Sequence, residues 1–301
     1  MKVFVTGVAG QLGHDVMNDL AARGYEGIGT DIAPKYSGAD DGTAVTTMPY
    51  VSLDITDRDA VEKTITELKP DVVVHCAAWT AVDLAEDDDK KAKVHAINAD
   101  GTQNIADACK KIDAKMVYIS TDYVFDGQGT TPWQPDCKDY APLNVYGQTK
   151  LDGELAVANT LEKYFIVRIA WVFGVNGKNF IKTMLNVGKT HDKLTVVSDQ
   201  IGTPTYTLDL SRLLVDTVTI TLRTRADISA GMISQKKSLS RQWSLVIQSI
   251  LRTDLQSHLL PQQSMVCQRQ HVRLTADWTR TSLWRMDLSR SVHGRMRCTD
   301  I

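Results

Sequence analysis

Tyr146 and Lys150 stand four residues apart in Tyr146-Gly147-Gln148-Thr149-Lys150, a separation that puts two side chains on one face of a helix. A phenol there can give a proton to an oxygen on which charge is developing. A neighbouring ammonium favours the phenolate and so lowers a pKa otherwise near about 10. With nine tyrosines in the chain, a lysine at this spacing arises by chance about half the time at ordinary lysine usage, so the pair needs a setting. Lys115 to Ser120 reads as a strand ending in Ser120-Thr121-Asp122, and reactive groups of a doubly wound sheet gather beyond the carboxyl ends of its strands. Thr121 is then placed to hydrogen-bond a substrate oxygen and orient it against Tyr146, while Lys150 can also hold a ribose. The chemistry this suits is reduction of a ketone, with hydride going to carbon and a proton to oxygen. The bland alternative is a surface pair on an amphipathic helix.

A hydride donor needs a site, and Thr6-Gly7-Val8-Ala9-Gly10-Gln11-Leu12-Gly13 supplies a candidate directly after the first strand. Glycines at 7, 10 and 13 permit unusual backbone angles, close approach to a pyrophosphate and close packing of helix on sheet. Gln11 and Leu12 open a helix whose free N–H groups face the phosphates. Asp31 lies 18 residues after Gly13, near the spacing of roughly 20 at which a carboxylate meets the adenosine ribose hydroxyls, which favours NADH. Lys35 is close enough in sequence to meet a 2′-phosphate, so NADPH stays open. Asp54, ending the third strand, is either an adenine neighbour or a strand-end cap.

The elements that position these groups alternate. Strands are expected at 2–6, up to Asp31, at 51–54, 72–76, 115–120 and 165–170; helices at 11–23, 57–69, 87–111 and 144–161. Such alternation predicts an α/β fold, a Rossmann-type doubly wound parallel sheet with a smaller C-terminal substrate lobe. The domain boundaries expected are 1–170 for the dinucleotide-binding domain, 171–218 for the start of the lobe, and 219–301 for a C-terminal segment apart. Residues 32–50, rich in Gly, Thr, Asp and Pro, are expected to form a mobile loop.

Bulk properties narrow the class. The chain begins Met1-Lys2-Val3-Phe4-Val5 with no basic leader and no long apolar stretch, so a cytoplasmic enzyme with no membrane partner is expected. Five cysteines, an odd number at irregular spacing, fit neither a disulfide framework nor a zinc site.

Several phrases carry a resemblance. The glycine motif, His75-Cys76-Ala77-Ala78, Asn98, Ser120-Thr121-Asp122 and Tyr146/Lys150 resemble the extended short-chain dehydrogenase/reductases. Ala77-Ala78-Trp79-Thr80-Ala81-Val82-Asp83, Ser120-Thr121-Asp122-Tyr123-Val124-Phe125-Asp126-Gly127, Pro142-Leu143-Asn144-Val145-Tyr146-Gly147, Arg168-Ile169-Ala170-Trp171-Val172-Phe173-Gly174 and Asp199-Gln200-Ile201-Gly202-Thr203-Pro204-Thr205 resemble the dTDP-4-dehydrorhamnose reductases, from residue 1 to about 217. The resemblance implies NAD(P)H-dependent reduction of the C4 ketone of dTDP-4-dehydro-L-rhamnose, a dTDP-linked 4-ketosugar. It implies Thr121, Tyr146 and Lys150 as catalytic, and Ala77, Ala78 and Asn98 as cofactor contacts. Asp122, Tyr123 and Trp171 would contact the sugar, with a core aromatic as the alternative for Trp171. Where some members bind a metal near the first helix this chain has His14-Asp15, so no metal is expected; a monomer or homodimer is. An epimerase or dehydratase, or a non-catalytic binding subunit, are the rival readings. Tyr123 following Asp122 argues against a dehydratase, and the intact Tyr146 and Lys150 against a binding subunit.

The tail departs from this pattern. Residues 1–220 carry 21 Lys/Arg against 31 Asp/Glu and residues 221–301 carry 13 against 5, so charges of −10 and +8 divide the chain. Residues 221–301 hold no Glu and no Tyr but 11 Arg, 11 Ser and 8 Gln. A family-like phrase R-P-x-N-S-R-L-D is missing. Yet Thr275 to Asp287 can be encoded so that the neighbouring frame reads N-S-R-L-D-K-N-K-L-V-E-N-G-F. A frameshift near residues 217–227 is therefore expected, in preference to a divergent basic tail or a nucleic-acid-binding extension; no nucleic-acid partner is expected.

Overall fold

The computed structural model describes residues 1–36, 48–129, 131–191, 193–196, 200, 202–223, 284–287 and 297–298. Much of the loop expected at 32–50, Asp199, Ile201 and most of 219–301 lie outside these residues. In chain order the elements are β1 (Lys2–Thr6), α1 (Gln11–Ala22), β2 (Glu26–Asp31), β3 (Tyr50–Ser52), α2 (Arg58–Leu68), β4 (Val72–His75), α3 (Asp88–His95), α4 (Gly101–Ile112) and β5 (Lys115–Thr121). There follow α5 (Val145–Thr160), β6 (Tyr164–Ile169), β7 (Val172–Phe173), α6 (Phe180–Val187), β8 (Lys193–Val196), β9 (Thr205–Tyr206), α7 (Thr207–Arg223), β10 (Trp284–Asp287) and β11 (Arg297–Cys298).

β1 to β6 form one parallel sheet in the order β3-β2-β1-β4-β5-β6. The register sets Phe4 beside Ile28 on one side and Val73 on the other, and Val73 beside Met116. Both faces are covered, which is why the strands read as continuous apolar runs. Period-two alternation sends Val3, Val5, Val72, Val74 and Val117 to one face, where they pack with Leu12, Val16 and Leu20 of α1 and Leu210 and Leu214 of α7. Phe4, Val73, Met116 and Tyr118 go to the other face, against Ile65 of α2, Ile105 of α4 and Val157 of α5. Each fully buried side chain of this kind contributes about 1.5–3 kcal/mol. Strand order reverses between β1 and β4, and that switch point opens a crevice at the carboxyl ends of both.

The single helix expected over 87–111 is instead α3, a turn of π-helix at Ala96–Asp100, and α4. The wider turn carries Asn98, which is buried. Gly101 follows it closely against Ile55, whose Cδ1 would lie 2.9 Å from a Cβ at that position.

The chain parts into two compact units, Met1–Thr183 with Pro204–Gln235, and Met184–Thr203 with Lys236–Ile301. The first holds the six-stranded sheet, its helices, and the parallel pair β7–β9. In the second, β10 pairs antiparallel with β8 and with β11.

Candidate active site

A cleft of about 730 Å³ opens in the first unit along the switch point. Gly7, Gly10, Gln11, Leu12, Gly13, Asp31, Asp54, Ala77 and Ala78 line one part of it, and Thr121, Asp122, Tyr123, Tyr146, Lys150 and Trp171 another. The residues singled out in the sequence are thus brought to one cavity, with two exceptions: Lys35 is not among its lining residues, and neither is Asn98. Asn98 Oδ1 accepts Trp79 N–H at 2.8 Å, and its Nδ2 donates to Trp79 O at 3.2 Å and Thr149 Oγ1 at 3.1 Å. Its amide is committed to holding the cleft wall and α5, so its contribution is to position rather than to touch.

The glycine turn has the shape a pyrophosphate needs. Gly7 has φ +71°, and a Cβ there would sit 2.7 Å from Ala77 N. A Cβ on Gly13 would sit 2.3 Å from Gly7 O. Gly10 caps α1 without a side-chain hydrogen bond and no acidic residue stands in the first turn, so the helix N-terminus presents its N–H groups to an anion. These features fit a dinucleotide. Asp31 braces the turn, its Oδ2 accepting Ala9 N–H at 3.0 Å and its Oδ1 accepting Ile32 N–H at 2.8 Å. Asp54 accepts from Thr56 N–H and Oγ1 at 2.9 and 2.7 Å, capping its strand end while lining the cleft.

Some supports escaped the sequence reading. Asn176 Nδ2 donates to Ala9 O and Gly10 O at 3.2 and 3.0 Å, and Asn179 Nδ2 donates to Gln11 Oε1 at 3.0 Å. The loop after β7 therefore clasps the glycine turn from 166 to 168 residues away in sequence. The only local signal is Asn176-Gly177, a turn dipeptide. Lys178 and Lys93 also line the cleft.

α5 carries the proposed chemistry and is held at its start, where Asn144 Oδ1 accepts Gly147 N–H and Glu86 Oε1 accepts Val145 N–H, both at 2.7 Å. Gly147 allows the close approach to Tyr123, whose carbonyl oxygen would lie 2.3 Å from a Cβ there. Thr121 Oγ1 donates to Asp122 Oδ1 at 3.1 Å and accepts Tyr123 N–H at 3.2 Å. The Tyr123 ring meets Tyr146 edge-on, centroids 5.8 Å apart. Trp171 follows β6 with φ +48° and is 44 % exposed. A non-glycine residue in that region costs on the order of 1–3 kcal/mol and occurs most at functional sites.

Lys150 is buried. Its Nζ donates to Ile119 O at 2.8 Å and lies 4.2 Å from the centre of the Tyr118 ring. Burial pulls its pKa down to about 7, with the Glu154 carboxylate acting against the fall. Tyr146 is pushed up to about 12, first by burial, with a Thr121 hydrogen bond opposing and the Asp122 charge adding. This corrects the expectation that the Lys150 ammonium lowers Tyr146. The Lys150 Nζ meets the Ile119 carbonyl and the Tyr118 ring face, and desolvation of the phenolate dominates at Tyr146.

Beneath the site runs a buried chain of hydrogen bonds. His75 Nδ1 lies 2.7 Å from Thr6 Oγ1, His75 Nε2 lies 3.1 Å from Thr102 Oγ1, and Thr102 donates to Asn98 O at 2.7 Å. Because Thr102 spends its proton on Asn98, its oxygen accepts from His75 Nε2–H, and Thr6 in turn donates to Nδ1 while accepting Ala77 N–H at 3.1 Å. Burial lowers the His75 pKa to about 3, with the Lys150 charge adding to the fall, so the ring is neutral, as this pattern requires.

Among the described residues no group of three or more His, Cys, Asp and Glu could hold a metal, and no helix is long and apolar enough to cross a membrane.

Residues 1–253 match the family model described as the RmlD substrate binding domain, so the family's match runs past residue 218. A dTDP-4-dehydrorhamnose reductase of Streptomyces griseus is 40% identical over 208 residues, 69% of this chain and 62% of that enzyme. The chain thus spans less than two thirds of that relative's length. The crystal structure of a dTDP-4-dehydrorhamnose reductase from Clostridium acetobutylicum superposes with a TM-score of 0.67 at 39% identity, covering 84% of this chain and 80% of that one. That of the Bacillus anthracis enzyme in complex with NADP gives 0.66 at 34% identity, covering 84% and 81%. With a Rossmann-type sheet, a dinucleotide-shaped glycine turn and these matches, the chain belongs to the RmlD substrate binding domain family, whose relatives here are dTDP-4-dehydrorhamnose reductases.

Proposed function

We propose that this chain is a nicotinamide-dependent reductase that converts the C4 ketone of dTDP-4-dehydro-L-rhamnose to the alcohol of dTDP-L-rhamnose. The observation that carries the reading is the shared cleft: the glycine turn and the Thr121, Tyr146, Lys150 set line the same cavity. A bound reduced nicotinamide supplies the hydride. Thr121 hydrogen-bonds the ketone oxygen and Tyr146 gives it the phenolic proton. A phenol held near 12 keeps that proton at neutral pH, which suits a donor. Lys150, in its ammonium form, holds the ribose next to the reacting carbon and steadies the phenolate left behind. Gly7, Gly10, Gly13 and the first turn of α1 take the pyrophosphate, while Asp122, Tyr123 and Trp171 face the sugar.

NADH is the preferred donor in this reading, because a carboxylate at Asp31, at the end of the second strand and lining the cleft, suits ribose hydroxyls better than a 2′-phosphate; Lys35 leaves NADPH open. In this reading the dinucleotide-binding domain is residues 1–170 and 171–218 begin the substrate lobe, except that α7 packs on the sheet of the first domain and is assigned to it; the enzyme works in the cytoplasm as a monomer or homodimer.

The test follows NADH and NADPH absorbance with dTDP-4-dehydro-L-rhamnose, using protein whose reading frame has been verified by DNA sequencing across codons 217–227 and restored where it is interrupted. Substrate-dependent oxidation is expected, faster with NADH, and lowered on the order of 10²–10⁴-fold in Tyr146→Phe. Absence of any substrate-dependent oxidation rejects the reading.

A further inference from the structure

Lys150 does not stand alone on its face of α5. One turn further along, Glu154 is 2% exposed, and its two oxygens accept from Arg168 of β6, Nε to Oε1 at 2.7 Å and Nη2 to Oε2 at 2.5 Å. The Arg168 side chain is itself 8% exposed. Its Nη2 also donates to Tyr140 Oη at 3.1 Å, and its guanidinium lies 4.9 Å from the Phe125 ring centre and 5.2 Å from that of Tyr140. Two planar, paired hydrogen bonds inside the protein fix the carboxylate rigidly. A burial of this kind gives little stability for its desolvation cost, so its presence is better explained by a task than by folding.

We propose that Glu154, held by Arg168, is the positioning residue that keeps Lys150 in its ammonium form. The groups facing Lys150 from each packed element leave few others for the task. From α5 come Tyr146, neutral, and Glu154. From β4 and the residue after it come His75, neutral, and Cys76, whose thiol burial raises to about 12. From β5 come the Tyr118 ring and the Ile119 carbonyl. Glu154 is thus the one buried carboxylate among them, and its charge opposes the fall that burial imposes on Lys150. The inference rests on the proposed role of Lys150 for its catalytic meaning, but not for its test.

The test reads Lys150 directly, by competitive acetic anhydride labelling across pH with mass spectrometry of the Lys150 peptide on the full chain. In Glu154→Gln the labelling midpoint is expected to fall by at least about one pH unit, because the carboxylate is lost and a buried cation is left behind. Removing one partner of a buried pair can unfold a protein, whereas replacing both with apolar residues is often neutral. The double variant Glu154→Leu/Arg168→Met therefore gives a second reading, with a smaller fall in the same direction. A midpoint unchanged or raised in whichever variant folds overturns the proposal. Where the reductase reading also holds, the alkaline limb of kcat moves with the midpoint. A shifted midpoint in a chain with no reductase activity keeps the tuning and rejects the activity, so the two failures are distinguishable.

Discussion

Burial of Lys150 has a thermodynamic consequence at the scale of one residue. Its proton affinity in the fold, near 7, lies below the 10.5 of the free side chain. Between those two values the unfolded chain binds more protons than the folded one, so stability rises with pH across that window. The cost is fully present below about 7 and is relieved as pH climbs to 10.5. Lys150→Met, which carries no titrating group, should therefore lose stability relative to the native chain as pH rises from 7 to 9, by about 1 kcal/mol per pH unit. Urea denaturation of both proteins at the two pH values measures it, and a difference that stays constant would show that Lys150 does not titrate there. The identity of this lysine was legible in the sequence, because its spacing from Tyr146 needs only helical geometry. Its charge state was not. That depends on Ile119, Tyr118, Cys76 and Glu154, and only the fold brings these together.

At the scale of elements, the parallel sheet and α5 could be read from the sequence because apolar periodicity and glycine placement report directly on which faces are covered. The π turn at Ala96–Asp100 could not. One extra residue in a turn barely disturbs the apolar pattern of the flanking helices, and the run from 87 to 111 still reads as one helix. Its consequence is specific: α5 crosses so near to this turn that a Cβ on Gly153 would lie 2.2 Å from Tyr118 Oη and 2.8 Å from Asn98 O. Gly153→Ala should push α5, and with it Tyr146 and Lys150, away from the sheet. The expected cost is about 1–3 kcal/mol of stability, together with a fall in kcat larger than any change in KM, since in the proposed reaction the displaced groups act on the reacting atoms rather than on distant parts of the substrate. Urea midpoints and steady-state kinetics check both; full activity in Gly153→Ala would mean that the helix contact is not what sets the geometry.

At the scale of the whole molecule the first two thirds of the chain agree at every level, from local pattern to sheet order to cleft, and such agreement is the mark of a sequence selected for its fold. The last third does not share that agreement. After Glu162 no glutamate occurs, and the balance of charge reverses beyond residue 220, although nothing in the sheet or cleft calls for a basic segment. The alignment with the Streptomyces griseus reductase spans only 208 residues, even though the family model reaches 253. We read 219–301 as coded in a neighbouring frame, since Thr275 to Asp287 regrouped by one base gives N-S-R-L-D-K-N-K-L-V-E-N-G-F, with a glutamate, the residue type that 221–301 lacks altogether. Sequencing the DNA across codons 217–227 should show an insertion or deletion that is not a multiple of three, either in the gene or between the gene and its reading. Restoring the frame should then yield a chain that binds a dTDP-sugar more tightly than the present one by isothermal titration, while affinity for the nicotinamide cofactor, which the proposed reading assigns to the glycine turn, changes little. An uninterrupted frame encoding the present residues, with no such lesion nearby, would instead make the basic tail native. The source of its composition would then have to be sought in selection rather than in the reading of the gene.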